Sequence, residues 1–86
     1  MNGNRAILRW LAETLGAYLE VPAATISPTV PLAEIGVDSV HAVSLAGEIE
    51  AKYDIDVEPT LIFDYPTLAQ IAEFISTTAA EHEPAS

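Results

Sequence analysis

Apolar residues recur every three or four positions in separate segments of this chain, and that spacing limits the fold more than any other feature. Side chains with this spacing lie on one face of an α-helix. Between residues 4 and 20 they are Ile7, Leu8, Leu11, Leu15, Tyr18 and Leu19. Asn2 or Asn4 is suited to capping the start of such a helix, and Pro22 lies beyond its end. We therefore predict a first helix over 4–20.

The segment 39–53 repeats this spacing and predicts a second helix. Its expected inward face consists of Ala42, Val43, Ala46, Ile49 and Tyr53. The opposite face consists of His41, Ser44, Glu48 and Lys52. The flank between the two faces holds Val40 and Gly47.

The C-terminal part of the chain predicts one short and one long helix. TLIF, 60–63, allows about one helical turn, because the residue before Pro66 avoids the helical conformation. Thr67 opens the last helix, and Thr67 and Gln70 have the spacing of a capping box. The predicted buried stripe of that helix is Leu68, Ile71, Ala72 and Ile75, with Phe74 beside it. We expect 80–86 to be a flexible polar tail.

A long connector joins the first two helices. Proline and glycine argue against regular structure over 21–38, at Pro22, Pro28, Pro31 and Gly36. Apolar residues are nevertheless spaced through it, at Val21, Ile26, Val30, Leu32 and Ile35. Long loops inside compact domains are often functional. We expect this one to lie against the core.

These segments predict an all-α fold, a small four-helix bundle with three main helices, one short helix and a long structured loop. No strand-like alternation of useful length interrupts them. We predict a single domain over 1–86 with its core at 4–79. Several large side chains are assigned to packing: Leu45 and Leu61 to the core, Trp10 to the connector or the last helix, and Phe63 and Tyr65 to the core or its edge.

The composition argues against several classes of function. The chain has no cysteine, which excludes disulfides and thiolate metal sites. Its formal net charge of −10 at pH 7 repels nucleic acids and anionic membranes and attracts basic protein surfaces. The N-terminus lacks the apolar block of a signal peptide, and no run approaches the roughly 18 apolar residues of a membrane span. We therefore expect a cytoplasmic protein with no nucleic-acid or membrane partner.

The sequence has few residues with which to catalyse a reaction. His41 and His82 are its only histidines, and Ser39 and His41, two positions apart on a helix, point in different directions. The segment DIDVEP, 54–59, begins like a calcium loop. However, the sixth position of that loop is proline rather than glycine, and the twelfth is Tyr65 rather than glutamate. We predict no enzyme activity and no metal site.

The stretch GVDSVHAV, 36–43, places Asp38 and Ser39 at the start of the second helix. Two interpretations follow from the residues alone. Both side chains are ordinary helix caps. Alternatively, Ser39 presents its hydroxyl at the positive end of the helix dipole, where a covalently attached phosphate is favoured. Gly36 permits a tight turn before it, and the acidic charge suits a protein that presents a covalent group to basic enzymes.

PLAEIGVDSV, 31–40, resembles the attachment sequence of acyl carrier proteins, the phosphopantetheine-bearing domains of fatty-acid and polyketide synthesis. LIFDYPTLAQIAEFI, 61–75, is similar to the end of carrier domains from modular polyketide synthases. The resemblance covers about 5–78. It implies that Ser39 receives 4′-phosphopantetheine from coenzyme A through a phosphopantetheinyl transferase, and that Asp38 is the motif residue beside it.

The same resemblance implies that the arm carries acyl thioesters to an acyltransferase, a ketosynthase or other synthase enzymes, and that the carrier acts as a monomer without catalysing a reaction. The implied docking residues, most of them on the second helix, are Val40, His41, Ser44, Gly47, Glu48 and Ile62. His41 and Ser44 stand where fatty-acid carriers often have acidic residues. Docking is therefore expected to depend less on charge than in the fatty-acid family.

Two alternatives remain open. One is a peptidyl or aminoacyl carrier of nonribosomal peptide synthesis, against which Asp38 and the FDYPT segment argue. The other is an acidic interaction module that is never modified, in which Ser39 is only a cap and the second helix binds a basic partner. We favour a discrete protein over an excised synthase domain, because the N-terminal MNGN carries no obvious tag.

Overall fold

The computed structural model describes residues 2–82, with side chains from 4 to 79. The α-helices are α1 (Asn2–Leu19), α2 (Ser39–Tyr53), α3 (Leu61–Asp64) and α4 (Leu68–His82). Over this range the chain forms no strand, which confirms the all-α prediction and its three long helices and one short helix. None of the helices described here has the length and apolar character needed to span a membrane.

The helix α1 begins two residues before the predicted start, so Asn4 lies inside it and does not cap it. At the other end Glu20 adopts a left-handed conformation with φ of 59°. The Val21 N–H then donates to the Gly16 carbonyl at 3.0 Å. A left-handed residue followed by such a bond is a common way to end a helix. The chain leaves α1 at this point and enters the connector.

The inward face of α2 differs from the predicted one at Val43. The buried residues of α2 are Ala42, Leu45, Ala46 and Ile49. Val43 is 56% exposed, whereas Leu45 is fully buried. Positions i, i+3, i+4 and i+7 form one stripe, and Val43 lies beside it. The assignment of Val43 to the core was wrong, and the assignment of Leu45 to the core is confirmed.

One cluster of buried apolar side chains contains residues of the long helices, of α3, and of the segments that precede α2 and α3. It comprises Ile7, Leu11, Leu15, Ile26, Leu32, Val37, Leu45, Ala46, Ile49, Ile55, Val57, Leu61, Leu68, Ile71, Ala72 and Ile75. No polar or charged side chain in the described range is buried. The hydrophobic effect therefore drives the assembly of this bundle.

The connector lies against the core, as predicted, and is fixed there by backbone hydrogen bonds. The Leu32 N–H donates to the Pro66 carbonyl at 2.8 Å, and the Ala69 N–H donates to the Pro28 carbonyl at 2.9 Å. Leu32 is 1% exposed. The expectation of no regular structure was too strict, because short 3₁₀ turns form at Ala23–Thr25 and at Leu32–Ile35.

The segment from α3 to α4 contains both confirmed and wrong assignments. Thr67 and Gln70 form the predicted capping box, in which each side chain accepts a hydrogen bond from the other residue's backbone N–H at 3.2 Å. Tyr65 packs against Phe74, with ring centroids 4.9 Å apart. Phe63, assigned to the core or its edge, is instead 76% exposed.

Two further assignments concern the packing of Trp10 and the predicted C-terminal tail. The aromatic partner of Trp10 is Tyr53 at the end of α2, rather than a residue of the connector or α4. The helix α4 continues to His82, into the segment predicted to be a tail. The rest of that segment, 83–86, lies outside the described residues.

Two glycines inside helices give a matched pair for testing this packing. A Cβ atom at Gly16 would lie 2.7 Å from the Val21 carbonyl oxygen, whereas one at Gly47 would meet nothing within 4 Å. We expect Gly16→Ala to lower the free energy of unfolding by about 1–3 kcal/mol, because the backbone at Val21 must move to make room for the new methyl group. We expect Gly47→Ala to raise it by about 0.5–1 kcal/mol through helix propensity. Urea denaturation measures both, and equal effects would contradict the close approach at Gly16.

Candidate functional site

Ser39 is the first residue of α2, and its position is set by the turn that precedes it. Gly36 has φ of 101°, in the left-handed region that glycine adopts readily, and its N–H donates to the Leu32 carbonyl. The Val37 N–H donates to the same carbonyl at 3.2 Å, and the Val37 side chain is buried. This turn directs Asp38 and Ser39 outward, where both are exposed.

Asp38 and His41 cap the start of α2 reciprocally. The Asp38 carboxylate accepts a hydrogen bond from the His41 N–H at 2.9 Å. The Asp38 N–H donates to His41 Nδ1 at 3.4 Å. The hydrogen bond from the His41 N–H lowers the pKa of Asp38. Asp38 is therefore a cap held in its charged form, as the sequence suggested.

His41 is more enclosed than a plain surface residue. Its ring stacks on Tyr18 of α1, with centroids 5.7 Å apart and an interplanar angle of 11°. The Tyr18 hydroxyl donates to Glu48 at 2.5 Å. Burial, followed by this hydrogen bond to Glu48, raises the pKa of Tyr18. Sequence reasoning placed Tyr18 only on the inner face of α1 and missed this contact, since the partners are far apart in the chain.

A recess opens beside Ser39 between α2 and α3. We call it the serine recess; its volume is about 320 Å³, and it is lined by Ala33, Val37, Asp38, Ser39, Ala42, Val43, Pro59, Thr60, Ile62 and Phe63. Val40 nearby is 69% exposed, and Phe63 is 76% exposed. Ile62 is half-buried and lines the same recess as Ser39. Phe63 is a residue that the sequence analysis did not place at the site.

A larger groove runs along the other flank of α2, against α1. We call it the α1–α2 groove; its volume is about 660 Å³, and it is lined by Trp10, Tyr18, Val43, Ser44, Gly47, Glu48, Ala51 and Lys52. The Lys52 amine lies 5.5 Å from the centre of the Trp10 ring. Of the predicted docking residues, Ser44, Gly47 and Glu48 line this groove. Ile62 lines the serine recess, whereas Val40 and His41 line neither surface. The two surfaces meet at Val43.

The geometry around Ser39 suits a residue that is modified by another protein. The Asp38 carboxylate is engaged by the helix cap, and Ser39 and His41 are not hydrogen-bonded to each other among the described contacts. No residue of the described site is thereby arranged as a base for the Ser39 hydroxyl. The N-terminus of the 15-residue helix α2 favours a phosphate attached at that oxygen. These residues therefore fit a covalent phosphate-linked group.

Comparison with known proteins agrees with this geometry. Residues 9–75 match the family model described as the phosphopantetheine attachment site. Over 78 residues, the chain is 35% identical to the non-reducing polyketide synthase VdtA of Byssochlamys spectabilis. That alignment covers 91% of this chain and 3% of the synthase, so the chain spans only a small part of such relatives.

Solved structures of similar fold are small helical proteins. A free-standing peptidyl carrier protein from an uncharacterized secondary metabolic pathway of Acinetobacter baumannii superposes with a TM-score of 0.85 and 27% identity, over 90% of this chain and 96% of that one. BlmI, a type-II acyl carrier protein from Streptomyces verticillus involved in bleomycin biosynthesis, superposes with a TM-score of 0.77 over 87% of this chain and 88% of that one. At 21% identity, the second comparison bears on the fold alone.

The charge on Asp38 makes stability depend on pH. Its pKa is lower in the folded chain than the ordinary value of about 3.9, so the charge stabilises the fold above that value. The contribution is lost as the pH falls through the lower folded value. Asp38→Asn keeps a capping side chain but removes the charge. We expect wild type to melt at a higher temperature than Asp38→Asn at pH 7, with the difference vanishing in acid. A difference that is independent of pH in calorimetry would contradict this.

Proposed function

Because this chain belongs to the phosphopantetheine-attachment family, its cofactor is covalent 4′-phosphopantetheine, and we propose that Ser39 carries it. The matched region holds three serines, Ser27, Ser39 and Ser44. The Ser27 hydroxyl is hydrogen-bonded to Thr29 at 3.2 Å, and Ser44 lies within α2, away from its free N–H groups. Ser39 alone combines an exposed hydroxyl with the start of a long helix, and this observation carries the proposal.

Attachment is a transfer from coenzyme A catalysed by a separate transferase. The Ser39 Oγ forms a bond to the phosphorus next to pantetheine, the bond to the bridging pyrophosphate oxygen breaks, and 3′,5′-ADP leaves. The serine proton passes to a base of the transferase, since the described site lacks one. The terminal thiol of the attached group holds acyl chains as thioesters. The chain itself supplies an exposed oxygen on a fixed turn and catalyses no step.

We propose acyl cargo of a polyketide pathway. Support comes from VdtA and from PksR of Bacillus subtilis, a polyketide synthase 30% identical over 77 residues. The peptidyl alternative has the Acinetobacter baumannii carrier in its favour, by its fold and its 27% identity. The curated relatives give acyl cargo the stronger support. A monomeric state, a cytoplasmic location and a single carrier domain over 1–86 remain predictions.

The docking surface of the proposed carrier surrounds Ser39. Val40 and His41 follow Ser39 in the first turn of α2, Ile62 lines the serine recess, and Ser44, Gly47 and Glu48 line the α1–α2 groove. To these we add Phe63, the most exposed large apolar side chain of the described residues. Exposed apolar groups clustered around a reactive residue are typical of protein-binding sites. The net charge of −10 suits synthase enzymes and a transferase with basic rims.

Ser39→Ala and Ser44→Ala form a matched pair, because both remove a hydroxyl from α2. Each protein is incubated with coenzyme A, magnesium and a broad-specificity phosphopantetheinyl transferase, and its intact mass is recorded. We expect one phosphopantetheine on wild type and on Ser44→Ala, and none on Ser39→Ala. Loading of Ser39→Ala would move the attachment site elsewhere. No loading of folded wild type, beside a known carrier that is loaded, would favour the unmodified acidic module.

Phe63→Ala tests the apolar part of the docking surface. Because Phe63 is 76% exposed, its removal should leave the melting temperature unchanged. We expect the KM of the transferase for the carrier to rise about threefold, as when one exposed contact is lost, with kcat unchanged. Val21→Ala is the control, since Val21 is a 40% exposed apolar residue that does not line the serine recess. Equal KM values for both variants would exclude Phe63 from transferase docking.

A further inference from the structure

Tyr18 links α1 to the part of α2 that carries Ser39. Its ring stacks on His41, and its hydroxyl donates to Glu48. His41 and Glu48 are seven positions apart, so they lie on the same face of α2, two turns from each other. One tyrosine of α1 therefore contacts both the first and the third turn of α2.

His41 transmits this contact to the residues around Ser39. Its backbone N–H donates to the Asp38 carboxylate, and its Nδ1 accepts from the Asp38 N–H at 3.4 Å. The second bond requires a particular orientation of the imidazole ring, because Nδ1 must face the Asp38 backbone. Stacking on Tyr18 limits rotation of that ring. Tyr18 thus helps to fix the hydrogen bond that closes the turn containing Ser39.

We propose that His41 and Tyr18 are positioning residues for modification of Ser39: the stacked pair holds the first turn of α2 against α1, so that the Ser39 hydroxyl has one orientation when the transferase binds. The inference rests on the proposed attachment at Ser39. It concerns neither bond making nor proton transfer, because the described contacts of both side chains lead to the helix cap and to Glu48. A nucleophile that is already held in place reacts faster, because less rotational freedom has to be lost on the way to the transition state.

Glu48 is the far end of this set of contacts, because it holds the Tyr18 hydroxyl. Glu48 was predicted to be a docking residue, but its carboxylate accepts the Tyr18 hydroxyl. This hydrogen bond sets the direction of the tyrosine ring, and the ring in turn sets that of His41. The chain of contacts runs from Glu48 through Tyr18 and His41 to Asp38, the residue that precedes Ser39.

Two substitutions of His41 separate the hydrogen bond from simple packing. His41→Gln replaces the Nδ1 acceptor by a side-chain oxygen that can accept from the Asp38 N–H, because glutamine at this position completes a capping box. His41→Leu keeps side-chain volume but has no acceptor. The steady-state rate of phosphopantetheine transfer from coenzyme A is measured as a function of carrier concentration, at a temperature where every variant is folded. We expect kcat/KM to fall about fivefold for His41→Leu and to stay within about twofold of wild type for His41→Gln.

Two substitutions of Tyr18 test the link to α1. Tyr18→Phe keeps the stacked ring and loses the bond to Glu48, whereas Tyr18→Leu loses both. We expect the rate to fall in the order wild type, Tyr18→Phe, Tyr18→Leu. Amide hydrogen exchange at His41 and Ala42, whose N–H groups donate to Asp38, should speed up in the same order, since the first turn of α2 opens more often. Ile75→Val, a conservative change in the buried face of α4, is the control for lost stability alone.

The outcomes separate this inference from the proposed function. Loading of wild type and His41→Gln, with slow loading of His41→Leu and normal loading of Ile75→Val, supports positioning. Equal kcat/KM for His41→Leu and wild type overturns it while attachment at Ser39 stands. A decrease in Ile75→Val as large as that in His41→Leu also overturns it, because stability alone would then explain the rates. Wild type that is not loaded at Ser39 refutes the proposed function itself.

Discussion

Two backbone hydrogen bonds, which join the connector to the start of α4 and to the residues just before it, fix the path of the chain toward Ser39. They join Leu32 to Pro66 and Ala69 to Pro28. A connector as long as this one would, without such bonds, lose much conformational entropy on folding and leave α2 free to begin in several places. With Leu32 buried beneath them, the next residues can only turn at Gly36 and emerge at Ser39. The position of an exposed hydroxyl therefore depends on a buried leucine and on carbonyl groups of prolines.

The α2 helix buries one face in the core and exposes the other, on which we propose the docking surface. Its buried stripe includes Leu45 and Ile49, which have no exposed surface. Val40 and Val43 on the outer side contribute little to stability, because burial is what makes an apolar side chain stabilising. Single exposed apolar residues are ordinary, but Val40 follows Ser39 directly, and Val43 lines the serine recess together with Phe63. Folding does not account for their place, which fits the docking surface that we propose.

Local spacing predicted the features that a single helix determines. The long helices, the cap at Asp38 and the capping box at Thr67 follow from short-range pattern. Val43 was misplaced because neighbouring positions of an amphipathic helix differ by only 100°, and the packing partner decides which one is buried. Phe63 lies in a four-residue helix, where no periodicity exists to read. The pairing of Tyr18 with His41 joins residues 23 positions apart, which no local pattern encodes.

Charge alone is a poor description of the docking surface that we propose on α2. Three of the carboxylates associated with it have hydrogen-bond donors within the chain: His41 N–H for Asp38, the Tyr18 hydroxyl for Glu48 and the Val57 N–H for Glu50. A basic partner gains long-range attraction from these charges, but it must compete with existing bonds to pair with them directly. Apolar surface around Ser39 meets no such competition. The net charge of −10 is thus expected to govern the rate of encounter, while exposed apolar side chains govern how long the complex lasts.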